Sequence, residues 1–128
     1  DVLDGVGFEG WTADQIRNAG YQVDRTPWTG DAGIDLVAQR SGFPKLIIQC
    51  KHTQTGGALQ LAAVQEVIAG TERYEGAASA HMVVVTNAAQ IAESAKQLAF
   101  SNGVQLWSRP TLGDLSNPLV YLGPLQDQ

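Results

Sequence analysis

The chain is short of several things, and each shortage excludes something. It has a single cysteine, Cys50, so an internal disulfide is impossible, which fits a reducing compartment and leads us to expect a cytoplasmic protein. Its two histidines, His52 and His81, stand in no CxxC or HxxxH spacing, which argues against a zinc site. No apolar run approaches the roughly 18 residues of a membrane span. The start, DVLDGVGFEG, lacks the basic and apolar regions of a signal peptide, and its lack of Met is what an excised domain of a longer protein would show. Basic residues are also scarce. Eight Lys and Arg face thirteen Asp and Glu, for a net charge of −5 and a pI near 4.7. Such a chain does not grip a polyanion through a basic surface of its own.

What is present suffices for one domain with a single core, since 128 residues are too few for two. Apolar residues at Phe8, Trp11 or Thr12, Ile16 and Ala19 follow helical spacing over residues 8–19, with Gly20 as a stop. Residues 21–25 alternate as a short strand, and TPWTGDAG is turn chemistry. Residues 34–39 and 45–50 read as strands joined at RSGFP, where Ser41 and Gly42 favour a hairpin. HTQTGGA reads as a flexible polar link. Residues 59–74 form an amphipathic helix with Leu59, Ala62, Ala63, Val67 and Ile68 on one face.

The β-branched run at residues 81–86 marks a strand covered on both faces. Residues 88–100 predict a second covering helix carrying Ile91, Ala95, Leu98 and Ala99, and residues 103–107 a last strand. The order is α–β–β–β–α–β–α–β, an α/β mixed sheet flanked by helices on both faces. Residues 1–107 form the folded domain in this reading. Residues 108–128, rich in Pro and Gly, form a tail with a short helix near 112–115.

The informative stretch is TGDAGIDLVAQRSGFPKLIIQCKH. Asp35 is followed, one hairpin later, by Gln49 and Lys51 at alternate positions of an apolar strand. Alternate positions point to one face. A carboxylate, an amide oxygen and an ammonium then converge at one sheet edge, a set able to hold a divalent cation and activate water beside a phosphodiester. Each residue also has an ordinary reading. Asp35 satisfies a turn, Gln49 bonds within the sheet, and Lys51 is solvated at a strand end.

GDAGIDL and IIQCKH, with GFEGW upstream and MVVVTNA downstream, resemble the catalytic domain of Mrr-like restriction endonucleases. These are a branch of the PD-(D/E)xK nucleases in which Gln often takes the acidic place of the second motif. The likeness runs from about Phe8 to Trp107. It implies a restriction-endonuclease-like fold and a Mg²⁺-dependent endodeoxyribonuclease acting on DNA, with Mn²⁺ as a substitute.

The implied catalytic residues are Glu9, Asp35, Gln49 and Lys51. Asp35, Gln49 and the backbone carbonyl of Cys50 would hold the cation, and Glu9 would reach it through water. A Glu in a first helical turn is otherwise an ordinary surface residue favoured by the helix dipole. Asp31 would order the GDAGID loop, and Gln65 or Glu66 could reach the same edge from the following helix. His52 would touch phosphate and Trp28 a base.

Cys50 and His52 share a strand face, expected to be buried and opposite the acids, so they make no nucleophilic pair. With so acidic a chain, DNA affinity is expected to come from a further recognition domain or subunit, or from cation and substrate together. Double-strand cutting would suit a homodimer. The alternatives are a junction-resolving, repair or single-strand nuclease, or a non-catalytic nucleic-acid-binding domain that kept the fold.

Overall fold

The run Leu46–Lys51 forms strand β3 at the centre of a five-stranded sheet, because its first four residues are buried and apolar neighbours flank it on both sides. The structure is a computed structural model describing residues 5–25, 34–53, 57–73 and 80–107. In chain order it contains α1 (Gly5–Asn18), β1 (Gln22–Arg25), β2 (Leu36–Gln39), β3, β4 (Ala58–Leu59), α2 (Leu61–Arg73), β5 (His81–Thr86), β6 (Gln90–Ile91), α3 (Glu93–Asn102) and β7 (Gln105–Trp107). The large sheet runs β1-β2-β3-β5-β7. Its first three strands are antiparallel and its last three parallel, with α2 and α3 as the crossovers.

Alternation decides which helix each strand residue meets. Leu46, Ile48, Val83, Val85 and Trp107 pack with Phe8, Ala13 and Ile16 under α1. Val84 and Val104 pack with Ala63, Val64, Val67, Ala95 and Ala99 under α2 and α3. The β5 valines are wholly buried between the two layers, each burial worth about 1.5–3 kcal/mol relative to exposure. The hairpin between β2 and β3 turns through Gly42 at φ +86°, with Phe43 N donating to Arg40 O at 3.0 Å. Helix α3 stops at Gly103, whose left-handed conformation lets the chain turn into β7. No helix among the described residues is long and apolar enough to cross a membrane.

Three sequence expectations shift. Helix α3 starts at Glu93 rather than Ala88, because Gln90 and Ile91 pair as β6 with Ala58 and Leu59. The polar link after His52 therefore ends in a two-residue strand, and α2 begins only at Leu61. On α2 the buried face is Ala63, Val64, Val67 and Gly70, whereas Ala62 is exposed. The expected short helix near 112–115 lies outside the described residues.

Candidate active site

Asp35 sits one residue before β2, not within it, yet it continues the ladder: its N–H donates to Ile48 O at 2.8 Å. Leu36 pairs with Ile48, and Asp35 just before it lies beside the Ile48–Cys50 end of β3. Its Oδ2 accepts the Cys50 backbone N–H at 2.8 Å. In an extended strand a residue's N–H and C=O open to the same side, so the Cys50 carbonyl also faces the Asp35 edge. Burial raises the Asp35 pKa above its ordinary 3.8. The Cys50 N–H and the Lys51 charge work against that rise, and the Glu66 carboxylate adds to it.

Gln49 and Lys51 face α2, and both meet Glu66. Gln49 Nε2 donates to Glu66 Oε1 at 2.8 Å, and Lys51 Nζ stands 3.5 Å from the same oxygen. The alternative of an in-sheet hydrogen bond for Gln49 gives way to this strand–helix bond. Gln49 is buried, and its Oε1 has no hydrogen-bond partner. A carboxylate only accepts, so the amide must turn its nitrogen to Glu66 and its oxygen away. An unpartnered buried carbonyl oxygen beside a carboxylate suits a hard cation, so the donor set fits Mg²⁺ or Mn²⁺. The set is mixed in kind. Among the described residues no three of His, Cys, Asp and Glu gather closely enough to hold a metal by themselves.

Glu9 approaches from the α1 side and is not the surface residue that the helix-dipole reading supposed. It is 9% exposed and lies 3.4 Å from Arg25 Nη1. Its pKa is raised by burial and further by the Asp35 carboxylate, with Arg25 offsetting part of the rise. Glu9 therefore feels Asp35 through the sheet edge, while Gln49 and Lys51 lie on the far face.

Cys50 and His52 do lie on the α1 side, packing with Phe8, whose ring centre is 5.8 Å from that of His52. That side is not opposite all the acids, since Asp35 and Glu9 both push the Cys50 thiol up after burial, and Thr12 and Arg25 offset them. A thiol so placed is no nucleophile. His52 is half-buried, and its Nε2 is buried without a hydrogen-bond partner. Gln65 is exposed and makes none of the contacts that Glu66 makes. Trp28 and Asp31 lie outside the described residues.

One further residue emerges from the geometry. Asn87, just beyond β5, accepts from Thr53 N at 2.7 Å and Thr53 Oγ1 at 3.3 Å, and donates to Thr53 O at 3.0 Å. It ties the chain leaving β3 to the chain leaving β5, two residues past Lys51. The quoted MVVVTNA contained it, but nothing in that run marked its partner.

The family model for the Mrr catalytic domain, described as a restriction endonuclease, matches residues 1–116. The chain belongs to this family. No curated protein matches it. Among solved structures it is similar to a protein of unknown function, at 20% identity and TM-score 0.67, covering 81% of this chain and 62% of that one. It is also similar to a repair endonuclease from Pyrococcus abyssi, at 14% identity and TM-score 0.56, covering 84% and 48%. A third is the MspJI restriction endonuclease in complex with a 27-mer oligonucleotide, at 18% identity and TM-score 0.53, covering 93% and 29%. At these identities the likeness is one of fold, a restriction-endonuclease-like α/β sheet. This Mrr-family chain spans between 29% and 62% of the lengths of the three structures.

Proposed function

We propose that this domain is a divalent-cation-dependent endodeoxyribonuclease, the cutting module of a restriction or defence protein. The observation that carries the reading is the buried, unpartnered Oε1 of Gln49, one residue before the Cys50 N–H that Asp35 accepts, with Lys51 on the same strand face as Gln49. Asp35, Gln49 Oε1 and the Cys50 carbonyl would hold Mg²⁺ or Mn²⁺, with Glu9 reaching it through water. Bound there, the cation would supply Lewis acidity and a lowered water pKa. Lys51 places a positive charge and a donor where negative charge grows on the phosphate. Asp35 keeps its carboxylate aimed by accepting the Cys50 N–H.

In this reading residues 1–107 are the cutting domain and residues 108–128 a tail. A further domain or subunit selects the DNA, two copies make a double-strand break, and the protein works in the cytoplasm. Plasmid nicking tests it. Mg²⁺ or Mn²⁺ should support cutting, chelator should stop it, and Asp35→Asn or Lys51→Ala should each lower it by about 100-fold or more with the fold retained. Undiminished nicking by either variant would remove the assignment.

The likeness to a repair endonuclease motivates a panel of duplex, branched and single-stranded DNA, which separates restriction from repair or junction substrates. The charge of −5 and the neutral Gln49 motivate a second reading, a non-catalytic nucleic-acid-binding domain. Cation-independent DNA binding without cleavage would favour it.

A further inference from the structure

The second position of the strand motif carries an amide, and an acid reaches that amide from another element. Glu66 Oε1 accepts from Gln49 Nε2 at 2.8 Å and stands 3.5 Å from Lys51 Nζ, so one oxygen touches both motif side chains. Glu66 lies on the face of α2 that meets β3, one residue before the buried Val67. An amide has two ends of similar shape and opposite hydrogen-bonding sense. Only an acceptor-only neighbour at that distance decides which end points where. Here the nitrogen is taken, and the buried oxygen is left without a partner.

We propose that Glu66 is a positioning residue of this site: its carboxylate fixes the Gln49 amide so that the oxygen is the end free for a cation, and it holds the Lys51 ammonium on the same face. The proposal rests on the cation-dependent reading above. It makes acid and amide transposable across the strand–helix contact. Gln49→Glu alone sets two carboxylates against each other at a 2.8 Å contact. Glu66→Gln alone removes the acceptor-only neighbour, so the Gln49 amide can reverse. Gln49→Glu combined with Glu66→Gln keeps the net charge, keeps a donor facing an acceptor, and puts the carboxylate on the strand.

The test is direct titration of Mn²⁺ into the full 128-residue chain, followed by paramagnetic resonance of free Mn²⁺, for wild type, both single variants and the double. Urea melts and plasmid nicking run in parallel. Glu66→Gln, at a half-exposed position, should leave the melt nearly unchanged and weaken Mn²⁺ binding about 10-fold or more, as loss of a ligand-orienting partner does. The double variant should return to within about 3-fold of wild type, far from the product of the two single effects. Wild-type affinity in Glu66→Gln, additive losses in the double, or no Mn²⁺ binding by the wild type would each overturn the proposal. If Mn²⁺ binding follows the expected pattern but no variant cuts any DNA, the nuclease reading falls and the role of Glu66 stands.

Discussion

Replacing Asn87 with Ala removes the three hydrogen bonds that splice the exit of β3 to the exit of β5. The bonds at 2.7 and 3.0 Å are of ordinary strength, and the 3.3 Å contact to the Thr53 hydroxyl is weak. A net value of roughly 0.5–1.5 kcal/mol per bond gives an expected loss of about 2 kcal/mol, kept from the upper end because Thr53 is part-buried and water can replace some of the contacts. With a urea slope of about 1–3 kcal/mol/M, the denaturation midpoint should fall by about 1 M at an unchanged slope.

The damage should be local before it is global. The ladder between β3 and β5 ends at Lys51 opposite Thr86, and the Asn87 side chain carries the connection two residues further. Amide exchange at Thr53 should accelerate far more than at Val84 in the strand core. Under the proposed function, nicking at a temperature where the variant stays folded should drop about 10-fold, because Lys51 loses the anchor behind it. A midpoint within the error of wild type, or equal acceleration of exchange at Thr53 and Val84, would refute the idea of a clamp.

Two further outcomes follow from burial. Cys50, its thiol pushed up first by burial and then by Asp35 and Glu9, should react with a thiol reagent at about pH 8 at least about 100-fold more slowly in the folded protein than in urea; fast labelling of the folded protein would show that the α1 side is open. His81 is lowered from its ordinary 6.5 by burial, and its Nδ1 stands 3.3 Å from Gln105 Nε2, so the folded state prefers the neutral ring. A folded value below the unfolded one gives stability that is fully present above pH 6.5 and is lost as the pH falls beneath it. Asp35 and Glu9, both raised, act in the opposite sense, so the reading is the wild type minus His81→Gln. That difference in urea midpoint should shrink as the pH drops from about 7.5 to about 5.5, and a constant difference would count against it.

The large sheet was legible in the residues because its strands carry their burial in plain sight. The run of residues 81–86 can only be a strand covered on both sides, and RSGFP supplies the glycine that the hairpin needs at φ +86°. Strands β4 and β6 were not legible, since two residues hold no periodicity and Ile91 fits a helix face as well as a strand. The site divides in the same way. Period-two spacing puts Gln49 and Lys51 on one face, and the hairpin brings Asp35 to the same end of β3. That Glu66 rather than Gln65 meets them depends on how α2 docks on the sheet, a tertiary distance no local pattern records. The burial of Glu9 was not legible for the same reason. Its burial comes from the β1–α1 contact that brings Arg25 to it.

Under the proposed function, charge explains how so acidic a chain can be built around an edge that handles phosphate. Burial holds both Glu9 and Asp35 above their ordinary pKa values, with the Asp35 carboxylate adding to the rise at Glu9 and Glu66, a third acid beside Lys51, adding to the rise at Asp35. Arg25 and Lys51 are the cations paired with these acids among the described residues, and Lys51 is engaged by Glu66. An edge of this composition repels a phosphodiester as it stands. Adding a divalent cation reverses the local sign and leaves Lys51 as a second positive centre, so cation and DNA should favour each other's binding. The neutral Gln49 then has a reason. A fourth carboxylate at that position would face Glu66 at hydrogen-bond distance, whereas an amide joins the two and still offers an oxygen. On this argument the acidity of the chain and the amide in its motif are one arrangement, with the acid carried on α2 and the oxygen donor on β3.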